Sequence, residues 1–162
     1  MVLIDGKKVS AEIRDRLKQE TEELKEKTGR TPGLATVLVG DDPASAVYVR
    51  NKNKICNELG FQSFGKNLPE QTTEAELMSL INDLNGNDEV NGILVQLPLP
   101  NHIDSEKILL SIDPEKDVDG FHPINVGKLA IGNALLTPCT PTGVIALLDY
   151  YGIEISGKHA VV

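Results

Sequence analysis

Two short segments of the chain are apolar almost throughout, with no alternation of apolar and polar residues. They are Gly33–Gly40 and Gly92–Leu97. Such runs are typical of strands in a parallel sheet, because helices cover both of its faces. Amphipathic helical stretches separate the two runs. The pattern therefore predicts an α/β fold of three layers, with a mostly parallel sheet flanked by helices.

Start and stop signals place the helices that would cover this sheet. Asp42 and Pro43 combine an N-cap with a first-turn proline, and Gly60 ends the helix predicted over 43–59. Ser10 is expected to cap a first helix that runs to about residue 27. The other predicted elements are a strand at 61–67, a helix after the capping box Thr73–Glu76, a short helix at 105–111, a long loop from 113 to about 132, and a helix capped by Thr140 that runs to about Tyr151.

The end of the sequence resembles the start of a new domain. A loop rich in Gly and Pro precedes residue 140, a helix follows it, and Lys158–Val162 is expected to open another strand. We therefore expect one domain over 1–140. The segment 141–162 would then be a linker helix and the first strand of a second domain.

Composition limits the partners and the compartment. The formal net charge of −8 and the pI near 4.9 argue against nucleic acid or an anionic membrane as the main partner. Cys56 and Cys139 show no pairing pattern, which fits a reducing compartment. No signal-peptide core and no apolar run of membrane-spanning length is present in the sequence, so a cytoplasmic location is expected.

The predicted helix 43–59 places a lysine among apolar residues. At about 100° per residue, a single arc of about 80° holds five residues: Ala44, Tyr48, Lys52, Ile55 and Leu59. Two interpretations stay open. Lys52 could extend its charge from the edge of the stripe to solvent while Tyr48 packs in the core. Alternatively, partial burial favours the neutral amine, and Lys52 acts as a base with the Tyr48 phenol one turn away.

Gln96 interrupts the second apolar run just before two prolines, where a buried strand should end. Ligands of open α/β sheets bind at the carboxyl ends of the strands. A buried carboxamide without hydrogen bonds costs about 1–3 kcal/mol, so Gln96 either satisfies the backbone of the following loop or belongs to a site. Its position favours the site.

Two other chemistries are not supported by the spacing. The acidic loop 113–120 suggests calcium, but an EF-hand register puts Val126 where the bidentate Glu belongs, so no metal is expected. Tyr-x-x-x-Lys is also the catalytic pair of short-chain dehydrogenases. Those enzymes need a Gly-rich nucleotide turn upstream, and none precedes Tyr48.

Four segments occur in an order that is specific to one family. They are Ser45-x-x-Tyr48-Val-x-x-Lys52, Gly92-Ile-Leu-Val-Gln96-Leu-Pro-Leu-Pro100, Pro114-Glu-Lys-Asp-Val-Asp119-Gly120 and Pro138-Cys-Thr-Pro-Thr-Gly143. Along essentially its whole length the chain resembles the bifunctional methylenetetrahydrofolate dehydrogenase/methenyltetrahydrofolate cyclohydrolase family. Members of that family oxidise 5,10-methylenetetrahydrofolate with NADP and hydrolyse the methenyl product to 10-formyltetrahydrofolate.

The resemblance implies roles for individual residues. Lys52 would be the central catalytic group, and Gln96 would hydrogen-bond near it and tune it. Tyr48 would stack against the folate, and Asp119 would bind the pterin through two donors of its aminopyrimidine edge. The remaining positions matched by the motifs would line the same cleft, with Ser45, Leu97 and Pro98 toward the substrate and Cys139 and Thr140 toward the cofactor.

The resemblance also implies a second, Rossmann-like domain that binds NADP and forms a homodimer. The family's phosphate-binding turn follows the strand that matches Lys158–Val162, and that turn is not among these 162 residues. We therefore expect a folate-binding catalytic domain over 1–140, an incomplete cofactor domain over 141–162, and no NADP oxidation by these residues alone. The alternatives are a folate-binding module without activity and a non-catalytic interaction domain.

Overall fold

A computed structural model describes residues 3–161 of the chain, in which three strands and six helices follow one another. The elements are α1 Gly6–Thr28, β1 Gly33–Val39, α2 Pro43–Glu58, β2 Gln62–Leu68, α3 Glu74–Asn85, β3 Gly92–Val95, α4 Ser105–Ser111, α5 Pro123–Ala130 and α6 Cys139–Tyr150. No helix in this described part of the chain is long and apolar enough to cross a membrane.

The three strands form one parallel sheet in the order β2-β1-β3, so the predicted α/β class is confirmed. Side chains of a strand alternate between the two faces. One face of β1 carries Val37 into the main core, with Leu77 of α3 and Ile108 of α4. The opposite face carries Thr36, which hydrogen-bonds to α2. Helices thus cover both faces, as expected for a parallel sheet.

The predicted limits of α2 and α3 are confirmed by their caps. Asp42 Oδ2 accepts a hydrogen bond from Ser45 N at 2.8 Å, and Pro43 is the first residue of α2. Gly60 follows with φ of +79°, a conformation that glycine adopts without steric cost. At α3, the Thr73 hydroxyl and the Glu76 carboxylate form the capping box. The short helix at 105–111 is also confirmed.

The predicted start of the first helix is wrong. It begins at Gly6, because Asp5 is the N-cap and its Oδ1 accepts hydrogen bonds from Lys7 N and Lys8 N at 3.0 and 3.2 Å. Ser10 therefore lies inside the helix. A carboxylate satisfies two N–H groups of the first turn and also interacts favourably with the helix dipole.

The segment 113–132 is not a continuous loop as predicted, since α5 occupies its second half. His122 is the N-cap, its Nδ1 accepts from Ile124 N at 3.2 Å, and Pro123 is the first helical residue. The sequence signal was the proline, which favours the first turn of a helix. The predicted Thr140 cap is also wrong, because α6 already begins at Cys139 and Pro138 occupies the N-cap position.

The predicted strand at 158–162 is not formed over Lys158–Val161, and Val162 lies outside the described residues. A strand needs a neighbouring backbone to pair with, and none of the three described strands pairs with this segment. The hydroxyl of Tyr151 accepts from Asp5 N at 3.0 Å, so the end of α6 is tied to the start of α1. The domain boundary near residue 140 stays a prediction.

Lys116 anchors the loop that leads to Asp119. Its Nζ donates to three backbone carbonyls at the end of α3, those of Leu84, Asn85 and Asn87, at 3.2, 2.7 and 2.9 Å. Its own carbonyl accepts from Ile93 N at 2.7 Å, which ties the loop to the outer edge of β3. One side chain therefore caps a helix and fixes the loop against the sheet.

We expect Lys116→Met to lower the free energy of unfolding by about 2 kcal/mol, because three charge-assisted hydrogen bonds are lost. In a domain of this size that corresponds to a decrease in melting temperature of about 4–8 °C. Thermal unfolding followed by circular dichroism measures the change. Lys18→Met, on the exposed face of α1, is the matched control. Equal stability of the two variants would contradict the anchoring role.

Candidate functional site

Lys52 and Gln96, predicted as partners, are in direct contact. Lys52 is half-buried on α2, and helical side chains lean toward the helix N-terminus, which here lies at the carboxyl end of β1. Gln96 is the first residue after β3, and its backbone N still donates to Val37 O at 2.8 Å. Lys52 Nζ donates to Gln96 Oε1 at 3.2 Å, and Gln96 Nε2 donates to Leu97 O at 2.8 Å. The carboxamide is therefore bonded at both ends and held in one orientation.

The predicted apolar stripe of α2 is rotated by about one residue relative to the true buried face. The buried residues of the helix are Ser45, Val49 and Cys56, whereas Tyr48 is 64% exposed. The interpretation of Tyr48 as a core residue is therefore wrong. The helix packs on a sheet face that carries the hydroxyl of Thr36, so a polar residue can point inward. Lys52 lies at the edge of the buried face, with its amine at the site.

Asp119 lies half-buried at the end of the loop that Lys116 anchors. Asp117, two residues earlier, forms an isolated bridge with Ile93 of β3, so the loop runs beside the sheet. Burial raises the pKa of the Asp119 carboxyl, the positive charge of Lys52 opposes that shift, and the Asp117 carboxylate adds to it. Lys52 and Asp119 thus interact electrostatically, and burial favours the neutral form of the Asp119 carboxyl.

Gly120 brings the start of α6 next to Asp119. Its φ of +66° is in the left-handed region, and a Cβ there would lie 3.1 Å from Pro138 Cδ. Cys139 is exposed as a residue, but its Sγ turns inward and donates to Val118 O at 3.5 Å. Burial raises the pKa of the Cys139 thiol, and the charge of Asp119 raises it further. The thiol therefore belongs to the same cluster as Lys52 and Asp119.

The other predicted site residues lie around this cluster at different depths. Ser45 is buried in the first turn of α2. Leu97 is half-buried and Pro98 exposed directly after Gln96, and the peptide bond between them is cis. Thr140 is exposed in the first turn of α6. The structure thus brings Lys52, Gln96, Asp119 and Cys139 together, while Tyr48, Pro98 and Thr140 form the exposed surroundings.

Two buried polar residues next to Asp119 were not predicted. Asp117 is 2% exposed and Asn125 of α5 is 1% exposed. Asp117 Oδ2 accepts from His122 N at 2.8 Å and from Asn125 Nδ2 at 3.0 Å, so the carboxylate is held by α5. The signal in the sequence was Asn125 between two apolar residues of a segment that follows a proline. Asp117 therefore supports the loop from inside, while Asp119 faces the site.

The charge arrangement suits a polar planar ligand better than a metal ion. Over residues 3–161, no three His, Cys, Asp or Glu side chains are grouped so that they could hold a metal ion. The site instead offers an amine that donates, a carboxylate that accepts, and an exposed phenol ring on α2. These groups can hydrogen-bond the edge of a heterocycle and stack against a second ring.

Residues 4–119 match the model of the family described as tetrahydrofolate dehydrogenase/cyclohydrolase, catalytic domain. That range contains seven of the nine predicted site residues, namely Ser45, Tyr48, Lys52, Gln96, Leu97, Pro98 and Asp119. Cys139 and Thr140 lie beyond it.

Individual relatives give the same result. Proteins named bifunctional protein FolD from Streptococcus gordonii and Acetivibrio thermocellus are each 56% identical over 160 residues, which cover 99% of this chain and 56% of the relative. The chain thus spans about half the length of the curated relatives it matches. A crystal structure of the bifunctional enzyme FolD, methylenetetrahydrofolate dehydrogenase/cyclohydrolase, from Campylobacter jejuni superposes with a TM-score of 0.94 at 53% identity, over 98% of this chain and 56% of that one.

A structure of the Trypanosoma brucei methylenetetrahydrofolate dehydrogenase-cyclohydrolase (FolD), complexed with NADP cofactor and inhibitor, also has a TM-score of 0.94. It is 41% identical and covers 97% of this chain and 54% of that one. Agreement in sequence, in family match and in fold leads to one conclusion. This chain belongs to the tetrahydrofolate dehydrogenase/cyclohydrolase family and contains its catalytic domain.

Proposed function

We propose that the chain forms the folate site of a bifunctional enzyme of one-carbon metabolism. The enzyme would oxidise 5,10-methylenetetrahydrofolate with NADP and hydrolyse 5,10-methenyltetrahydrofolate to 10-formyltetrahydrofolate. The observation that carries the proposal is the hydrogen bond from Lys52 Nζ to Gln96 Oε1, formed where Asp119 interacts with the same amine. The names of the relatives, which include both activities, support it.

In the hydrolysis, Lys52 is proposed to act as the base. Water adds to the electron-poor methenyl carbon, a C–O bond forms, and the water must lose a proton. The neutral form of the Lys52 amine accepts that proton, and Gln96 Oε1 keeps the amine in place for the transfer. The bond between the carbon and N5 then breaks, N5 takes a proton, and the formyl group stays on N10. A neutral water and a cationic substrate thus give 10-formyltetrahydrofolate and one released proton.

Asp119 is proposed to hold the pterin end of the substrate. The aminopyrimidine edge presents two N–H donors, which match the two oxygens of one carboxylate. Because Asp119 is half-buried, its hydrogen bonds to the pterin are shielded from water and are stronger than they would be on the surface. The carboxylate therefore provides both affinity and orientation.

The surrounding residues are proposed to hold the rest of the folate. The exposed ring of Tyr48 would stack on the substrate one turn from Lys52, and Leu97 and Pro98 would provide an apolar wall next to Gln96. Ser45 would support this end of α2 from beneath. Such placement keeps the reacting carbon near the Lys52 amine, which is the main requirement for proton transfer.

NADP binding is a proposal for the whole protein. The turn between β1 and α2 reads Gly40-Asp41-Asp42-Pro43, and its two carboxylates would repel the phosphates of a dinucleotide. That turn therefore does not fit the cofactor. Cys139 and Thr140, at the first turn of α6, are the residues that we propose to approach the nicotinamide. Hydride transfer to NADP would then depend on residues beyond those described.

A cytoplasmic location and a homodimer complete the proposal. Cys56 and Cys139 are both free thiols, which fits a reducing compartment. The acidic net charge of −8 favours a small-molecule substrate over nucleic acid. The homodimer is carried over from the family resemblance, and sedimentation equilibrium of the protein measures it.

The experiment that tests the proposal separates binding from hydrolysis. A folate analogue is titrated into the protein by calorimetry, and loss of methenyl absorbance is then followed at the same protein concentration. We expect saturable binding and hydrolysis faster than in buffer. Binding without hydrolysis would show a folate-binding module instead of an enzyme. If no folate analogue binds, the proposed folate site is rejected.

A further inference from the structure

Asn53, the neighbour of Lys52 in sequence, joins α2 to two strands of the sheet. Its Oδ1 accepts hydrogen bonds from Thr36 Oγ1 at 2.8 Å and from Ser63 Oγ at 3.2 Å. Thr36 is fully buried on β1, and Ser63 is half-buried on β2. The Asn53 side chain therefore points inward, and its acceptor oxygen is shared by two hydroxyl groups.

Gly65 lies beside the nitrogen of the same amide. It is the partner of Thr36 in the pairing of β1 with β2, and a Cβ at this position would lie 2.9 Å from Asn53 Nδ2. The absence of a side chain at Gly65 is therefore what gives the amide room. Rotation of α2 about its axis would stretch both hydrogen bonds or press Nδ2 into the backbone of β2.

The same face of the sheet determines the position of the Lys52 amine. Thr36 pairs with Leu94 on β3, and Gln96 follows Leu94 by two residues, so Gln96 lies on the face that α2 covers. Lys52 and Asn53 are adjacent and project about 100° apart from the helix axis. The Lys52–Gln96 bond and the Asn53 bonds thus link one helix to one sheet face, and the rotation of α2 sets both.

We propose that Asn53 is a positioning residue that fixes the rotation of α2 on the sheet, so that the Lys52 amine meets Gln96. Its effect on hydrolysis acts through Lys52 and rests on the proposed function. Its effect on the Lys52 amine itself does not. Thr36 and Ser63 are the two anchors, and Gly65 supplies the space.

The test compares the reactivity of two lysines in one molecule. Trace acetylation with acetic anhydride, read by mass spectrometry, gives the labelling rate of Lys52 relative to Lys54, whose side chain is 73% exposed. Asn53→Leu removes the amide at similar volume, and Asn57→Leu, on the exposed side of α2, is the matched control. Because the Lys52–Gln96 bond is weakened, we expect the ratio to change by about 3- to 10-fold in Asn53→Leu and to stay unchanged in Asn57→Leu.

Two further arms keep the result independent of folding and of the proposed function. Thr36→Val removes one anchor without changing shape. It should shift the same ratio and add little to Asn53→Leu in the double variant. With methenyltetrahydrofolate as substrate, we expect the kcat of Asn53→Leu to fall about 10-fold while its KM stays within about 2-fold.

An unchanged labelling ratio in both folded single variants would overturn the positioning role, whatever the activity of the wild type. Absence of wild-type hydrolysis, together with a shifted ratio, would overturn the proposed function and leave the positioning role in place.

Discussion

Lys52→Met is expected to lower the rate of methenyltetrahydrofolate hydrolysis by about 10³-fold while folate binding stays within a few-fold of wild type. Met keeps the length of the side chain and its apolar stem, but it carries no group that can accept the proton from water. General bases of this kind contribute about 10²–10⁴-fold in rate, so the loss is large. The bond to Gln96 Oε1 is lost as well, and the carboxamide keeps its other bond, to Leu97 O.

The measurement is the initial rate of loss of methenyl absorbance at saturating substrate, with the affinity for a folate analogue measured separately. Lys54→Met is the matched control, since Lys54 lies on the same helix in an exposed ion pair with Glu58 at 3.7 Å. The control is expected to keep wild-type kcat. Hydrolysis at the wild-type rate in Lys52→Met would remove Lys52 from the mechanism.

Asp119→Asn is expected to weaken folate binding by about 10- to 100-fold, because one of the two carboxylate oxygens becomes an amide that cannot accept from the pterin edge. The same change is expected to raise the melting temperature at neutral pH. Burial raises the pKa of the Asp119 carboxyl, so its ionised form is a cost to the folded state. The neutral amide avoids that cost.

The sign of the pH dependence follows from the raised pKa. The folded protein holds the Asp119 proton more tightly than the unfolded chain, so the contribution to stability is fully present below the ordinary Asp pKa of 3.8. It is lost as the pH rises through the higher pKa of the folded state. The difference in melting temperature between Asp119→Asn and wild type should therefore grow from acid to neutral pH.

Melting curves at several pH values test this second prediction, together with calorimetric titration of a folate analogue. Glu115→Gln is the control, since it removes a carboxylate from an exposed position of the same loop. A pH-independent difference in melting temperature would show that the ionised form of Asp119 does not destabilise the folded protein. Unchanged affinity would place the pterin elsewhere.

Local signals predicted the secondary structure well where caps and breakers act within a few residues. Asp42 with Pro43, and Thr73 with Glu76, defined helix starts because a side chain and the nearby backbone N–H groups make the cap. Ser10 failed as a cap because Asp5, earlier in the chain, satisfied the first turn with one carboxylate. The strand predicted at 158–162 failed over its described part because pairing depends on a distant backbone.

The roles of the predicted site residues stay predictions, and the structure shows only which of their side chains meet. The oddity of Lys52 on α2 and of Gln96 after β3 was visible in sequence, and their hydrogen bond confirms that they meet. Periodicity placed Tyr48 on the apolar stripe, whereas its side chain is 64% exposed, and the inward-facing Asn53 was not predicted. Hydropathy assigns the inward face to apolar residues, and it does not register the hydroxyl groups and the glycine that the two facing strands offer.

The sequence alone determined the parallel α/β class, through two apolar runs separated by amphipathic helices. That property depends on residues that are near each other in the chain or repeat with a regular period. The contact between Lys52 and Gln96, which are 44 residues apart, was implied only by the family resemblance. The tertiary structure decided the rotation of α2, the burial of Asp117 and the approach of Cys139 to Asp119. Each of these depends on the shape and hydrogen-bonding groups of a surface contributed by distant segments, which no local pattern encodes.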